Sequence, residues 1–136
     1  MKSYDLIEHT ADIGVKAYGS TLNEAFCHAA QAMFDIITDN SKIDAVGEYL
    51  IDLSAEDSEQ LLVDFLSELL FLNTANNLVF GLFKVQIKNN HLSAHIFGEE
   101  FDLSKHKIGL EIKAVTYHML EVKQGENCFV QVLFDI

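Results

Sequence analysis

Asp12, the penultimate Asp135 and the closing residue Ile136 are the groups in this chain whose types could do chemistry together. Asp12 lies in His9-Thr10-Ala11-Asp12-Ile13-Gly14-Val15, a polar joint between two stretches that read as strands. If the last strand runs beside that joint, two side-chain carboxylates and the α-carboxylate of Ile136 gather at one sheet edge. Clustered anions repel unless a cation neutralises them, and an oxygen-only donor set suits Ca²⁺, Mg²⁺ or Mn²⁺ rather than zinc. The residues alone leave open the plainer alternative of an aspartate in a turn and the stump of a strand. The ending Phe134-Asp135-Ile136 reads as strand rather than polar tail, which favours order there. His9 could polarise or position a group near Asp12.

The other reactive side chains carry weaker patterns. Lys113 alternates with apolar residues in Glu111-Ile112-Lys113-Ala114-Val115, so it either presents one cation to a partner or a phosphate, or is an ordinary outward strand lysine. His28, His91, His95, His106 and His118 are scattered without helix-face metal spacing and read as ordinary surface or core residues. Glu99, Glu100 and Glu111 read as solvated carboxylates. Cys27 and Cys128 have no metal spacing and read as reduced thiols acting as small hydrophobes. There is no glycine-rich phosphate loop, no Ser-His-Asp order signature and no CxxC.

Charge narrows the partners. The net charge is −12, and all nine basic residues are lysines. Nucleic-acid grips need a basic patch and favour the guanidinium fork, so direct binding of RNA or DNA is not expected. A basic protein partner or hard cations suit this balance better. No apolar run approaches a membrane span and the first residues have no signal-peptide core, so a cytoplasmic protein without membrane contact is expected. With 136 residues, no proline and no linker, a single domain over 1–136 is expected.

The elements that must position these groups are legible as periodicities. Residues 4–8 and 13–18 alternate as strands around the His9–Asp12 joint. Residues 21–37 form a helix: Thr21 and Glu24 have capping-box spacing, and Leu22, Ala25, Phe26, Ala29, Ala30, Met33, Phe34 and Ile37 make one apolar stripe. Residues 49–53 read as a half-buried strand. A second helix follows, capped by Ser54 or Asp57, burying Leu61, Leu62, Phe65, Leu66, Leu69 and Leu70, and ending by Asn73. Residues 78–88 and 91–97 flank Asn89-Asn90 as a hairpin. Residues 99–108 read as a polar loop, 109–123 as one long strand that bends or bulges, and 128–134 as the last strand. The order predicts an α+β fold: two amphipathic helices packed on a largely antiparallel sheet in two layers.

Several blocks together resemble the archease family. His9-Thr10-Ala11-Asp12-Ile13-Gly14 with Ala17-Tyr18-Gly19-Ser20-Thr21-Leu22-Asn23-Glu24-Ala25-Phe26 is similar to its N-terminal signature, and residues 57–70 to its second helix. Residues 109–118 are similar to its central strand motif, and Phe134-Asp135-Ile136 to its C-terminus. The likeness runs through essentially the whole chain. One departure is Phe65, where the family carries tryptophan.

The resemblance implies a protein that is not itself an enzyme. It would activate the RtcB-type RNA-splicing ligase of tRNA splicing, promoting the metal- and GTP-dependent guanylylation of the ligase's own histidine and its multiple turnover. It implies a divalent metal held by Asp12, Asp135 and Ile136, with Lys113 engaged in activation. Two other readings compete. One is a chaperone or solubility modulator of RNA-modifying enzymes such as tRNA methyltransferases, with no dependence on Asp12. The other is a small metal-dependent hydrolase that turns over a phosphoester alone.

Overall fold

The structure is a computed structural model that describes residues 2–9 and 11–136, with His9 described by its backbone only. The strands are β1 (Tyr4–His9), β2 (Asp12–Gly19), β3 (Gly47–Ser54), β4 (Leu78–Lys88), β5 (His91–Glu100), β6 (Ala114–Lys123) and β7 (Cys128–Asp135). The helices are α1 (Leu22–Thr38) and α2 (Ser58–Asn76). The α+β class and the antiparallel pairing match the sequence expectation. The strands divide over two sheets rather than lying in one: β1-β2-β7-β6 and β3-β5-β4.

Local chemistry sets the boundaries. Thr21 caps α1, its Oγ1 accepting the Glu24 N–H at 3.2 Å. The Glu24 carboxylate reaches back to the Ser20 N–H at 2.9 Å, one residue earlier than the capping-box pattern places it. Asp57, not Ser54, caps α2 through the Gln60 N–H at 2.8 Å. That helix runs past the expected stop at Asn73, because Asn77 rather than an earlier residue takes the left-handed conformation, with φ 59°. In the β4–β5 hairpin, Asn89 and Asn90 have φ 52° and 59°, the two left-handed positions of a tight twisted turn.

Both helices lie between the sheets. α1 packs on β2 and β7 from one sheet and β4 from the other, and α2 packs chiefly on β6 and β3. Their stripes join one apolar cluster with the inward strand positions, including Val15, Ala17, Phe80, Leu92, Ile96, Val130, Val132 and Phe134. Phe26 and Phe65 meet across the helix interface with ring centres 6.2 Å apart. Phe26, Met33 and Phe34 are core residues.

The chain from β5 to β6 is pinned at three places. First, Glu99 ties it to the 41–46 segment: its carboxylate accepts from the Asp44 N–H at 2.8 Å, from His106 Nε2 at 3.0 Å and from Lys105, which also pairs with Asp44. His106 is buried, and its Nδ1 accepts the Asp102 N–H at 3.0 Å, so the ring proton sits on Nε2 and donates to Glu99. Glu99 and Glu100 thus belong to β5 rather than to the polar loop; Glu99 is part of this network, while Glu100 is exposed. Burial pushes the Glu99 carboxyl up, but the donors together outweigh it and hold it at about 2. A carboxyl held below its ordinary 4.5 contributes stability above that value and loses it as pH falls toward 2. The acid limb of the melting-temperature profile will therefore be shallower in Glu99→Gln than in the wild type. Equal limbs in thermal melts from about pH 5 to 2 would contradict this network.

Second, Gly109 approaches the end of α1, where its N–H donates to the Ile37 carbonyl at 2.8 Å and that of Leu110 to Ile36 at 3.0 Å. These satisfy carbonyls that the last helical turn leaves open. A Cβ on Gly109 would lie 2.1 Å from the Ile36 oxygen, so only glycine fits. Gly109→Ala is expected to cost ~1–3 kcal/mol, as overpacking against backbone does; urea titration showing no loss would contradict the close approach. Third, the Lys113 N–H donates to the Asp135 carbonyl at 2.7 Å. Residues 109–113 are consequently not strand, and β6 begins only at Ala114. The expected irregularity lies further on. Between Thr116 and Glu121 the β6–β7 register slips, with Met119 at φ 56°.

Candidate functional site

β7 lies between β2 and β6, so the chain's end is inserted beside its beginning. The register pairs Asp12 with Asp135, and Asp135 with Ala114. Directly opposed residues on adjacent antiparallel strands have Cβ atoms about 4.5–5.5 Å apart and point to the same face. His9 pairs with Asp12 from the other side, so His9, Asp12, Asp135 and Ala114 form one row across the four strands. In the joint between β1 and β2, Ala11 takes the left-handed conformation, with φ 63°. The Ile136 N–H reaches the Ala11 carbonyl at 3.4 Å, which ties the last residue to that turn. The side chain of Ile136 packs against the core cluster.

The structure therefore brings Asp12, Asp135 and Ile136 to one sheet end, as the strand pairing requires. Asp12 and Asp135 are both half-buried. Among the described residues no three His, Cys, Asp or Glu side chains gather closely enough to hold a metal by themselves. Side chains supply two carboxylates here, and a third oxygen has to come from the main chain of Ile136. The set fits a hard divalent cation: metal–oxygen bonds of ~2.0–2.6 Å need donors a few ångströms apart, which directly opposed residues provide. Two opposed carboxylates are also a pair whose mutual repulsion a cation would relieve.

Lys113 shares this end through its backbone bond to Asp135. Its side chain is exposed and lines a groove of about 310 Å³ with Ser67, Leu70, Phe71 and Thr74 of α2. Its backbone thus stands beside the carboxylate row, while its side chain borders a surface of its own. The part expected of His9 depends on its side chain, which lies outside the described residues.

Outside this end, His28, His91 and His95 are accounted for structurally, as is His106 above. His95 pairs with Glu48 at 2.9 Å, and His91 lies between Ser54 and Asp52 on the exposed face of β5. Nδ1 of His28 donates to the Tyr18 carbonyl. Both cysteines are free thiols pushed up by burial, which disfavours the reactive thiolate. Two features of this end had little trace in the sequence. Phe71, 58% exposed beside Lys113, sits on a helix whose apolar stripe absorbs its neighbours. Gly109 interrupts an otherwise strand-like run, and a glycine there is the one signal of a close approach.

Comparison with known proteins places the whole chain. Residues 4–136 match the model of the Archease protein family. The chain is 44% identical to the protein archease of Pyrococcus furiosus, over 91% of this chain and 90% of that protein. It resembles the solution structure of Methanobacterium thermoautotrophicum protein 1598 with a TM-score of 0.81 and 36% identity over the full length of both. The Thermotoga maritima crystal structure, described as an archease and possible chaperone, matches with a TM-score of 0.61 at 24% identity, covering 96% of this chain and 94% of that one. That last likeness concerns the fold alone.

Proposed function

Because the chain belongs to the archease family, we propose that it activates an RtcB-type RNA-splicing ligase, with a divalent cation held by Asp12, Asp135 and a main-chain oxygen of Ile136. The observation that carries this reading is the register of β2 against β7, which sets Asp12 opposite Asp135. A divalent ion at such a site would supply positive charge to phosphate groups during nucleotidyl transfer. Every other part falls to the chain's own residues. Asp12 and Asp135 present oxygens from a hydrogen-bonded pair of strands rather than from loops. Ile136 is held against Ala11, so its main-chain oxygens stay at the same end. Lys113, exposed and one bond away from Asp135, offers a cation to charge developing on a phosphate.

The nucleophile in this account belongs to the ligase, whose own histidine is guanylylated, and the present chain is no enzyme. With its charge of −12 and no arginine, it meets the basic surroundings of a ligase site better than it grips RNA. The test is guanylylation of the ligase by GTP, with and without this protein, across Mg²⁺, Mn²⁺ and Ca²⁺. Stimulation that depends on the metal is expected. Equal guanylylation with and without the protein in every metal would end the proposal.

The competing reading is a chaperone or solubility modulator. It predicts protection of RNA-modifying enzymes such as tRNA methyltransferases from aggregation by wild type and Asp12→Ala alike.

A further inference from the structure

A second surface meets the same sheet end from the helix side. An open groove of about 450 Å³ lies between β1 and residues 108–110, over the last turn of α1. Leu6 and Ile13 form one wall and Ile108 and Leu110 the other. Ile108 is 74% exposed, Leu6 51% and Leu110 48%. Single exposed apolar residues are ordinary, but several around one concavity mark a place where something binds. The strip does not stop at this groove. Ile108 also borders a neighbouring hollow with Phe101 and the exposed Leu103.

Its borders are acidic. Asp35 and Asp39 line the first groove, and Glu100 and Asp102 the second. Tyr4 Oη and Gln31 Nε2 donate to the two oxygens of Asp35 at 2.7 and 3.0 Å, so its carboxylate is held in place. Lys105 is occupied by Asp44 and Glu99, and the residues that line the two grooves include four carboxylates and no lysine. Such borders repel RNA phosphates and anionic lipid, and a second copy of a chain carrying −12 is a poor occupant. An apolar segment carrying lysine or arginine fits both the walls and the borders.

We propose that this strip is the docking groove for an apolar, basic segment of a partner protein, separate from the metal-binding end. The proposal rests on the reading that the chain acts on a ligase, and adds where that partner is held. Ile13 and Asp12 are neighbours on β2, so the groove and the carboxylates share one end while facing opposite sides of the sheet. Docking and activation are then separable. Ile108→Ser with Leu110→Ser removes apolar wall from exposed positions and keeps the backbone bonds to α1.

The experiment titrates wild type and this double variant into ligase guanylylation assays, and measures direct binding by calorimetry at several salt concentrations. A lysine–leucine amphipathic peptide serves as a ligase-independent probe. The double variant is expected to need at least tenfold more protein for half-maximal stimulation, with the plateau unchanged, and to bind the peptide at least tenfold more weakly. Asp39→Asn is expected to flatten the salt dependence. A wild-type half-maximal concentration and unchanged peptide binding in the double variant would overturn the groove, as would sedimentation showing that the substitutions only dissociate self-associated chains. A wild type that binds the peptide through Ile108 and Leu110 but never the ligase would uphold the groove and overturn the ligase reading instead.

Discussion

Asp12→Ala is expected to abolish the proposed stimulation of ligase guanylylation and to leave the fold intact. Asp12 stands at the first position of β2, half-buried at a sheet end and outside the apolar cluster, so its truncation opens no core cavity. What it removes is one of two side-chain carboxylates opposed across the β2–β7 pair. With Asp135 left as the only carboxylate side chain of the pair, a hard cation loses a charged oxygen donor, and its affinity falls by at least an order of magnitude. The loss is visible without the ligase. A cation at 100 times its dissociation constant stabilises a protein by about 2.7 kcal/mol, which in a chain of this length raises the melting temperature by roughly 10 °C. The wild type should show such a rise with added divalent metal, and Asp12→Ala should not. An Asp12→Ala protein that melts normally and still stimulates fully would remove the carboxylate pair from the mechanism.

Phe65→Ala has the largest expected effect on stability, about 3–5 kcal/mol, the range for truncating a buried aromatic side chain. Phe65 is fully buried and lies almost parallel to Phe26, at 22° between ring planes. It joins α2 to α1, so the cavity would open between the two helices that separate the sheets. In a domain of this size the melting temperature should fall by roughly 10–20 °C. Phe65→Leu should cost far less, because it keeps most of the volume. Below its melting temperature Phe65→Ala should still stimulate the ligase, since the carboxylates lie on β2 and β7, whereas α2 packs chiefly on β6 and β3. A loss under ~1 kcal/mol in urea titration would show that the interface collapses to fill the gap.

These two substitutions mark what the sequence makes legible and what it hides. Phe65 is readable because α2 repeats its leucines and phenylalanine at helical spacing, and burial follows from the stripe. The Asn89-Asn90 hairpin is readable because few residues besides asparagine and glycine accept two consecutive left-handed positions. Asp12 is only half readable. Its type and the polar joint are local, but its meeting with Asp135 depends on β7 pairing with β2, a contact between opposite ends of the chain that no periodicity encodes. The same lack of local signal hides the division into two sheets, since β7 enters between β2 and β6 only in space. Residues 109–113 alternate like a strand and yet are not one, because Gly109 and Leu110 spend their N–H groups on α1. Charge misleads as well. Glu99 and His106 read as solvated or ordinary, whereas burial and mutual hydrogen bonds make them the clasp that begins the connection to Lys113.

The most direct test of the metal site is anomalous diffraction from crystals of the protein grown with Mn²⁺. The account predicts a peak within about 2.0–2.6 Å of carboxylate oxygens of Asp12 and Asp135 and of a main-chain oxygen of Ile136, absent from crystals of Asp12→Ala. A strong peak elsewhere, or an ordered Asp12–Asp135 pair with no peak at saturating Mn²⁺, would contradict it.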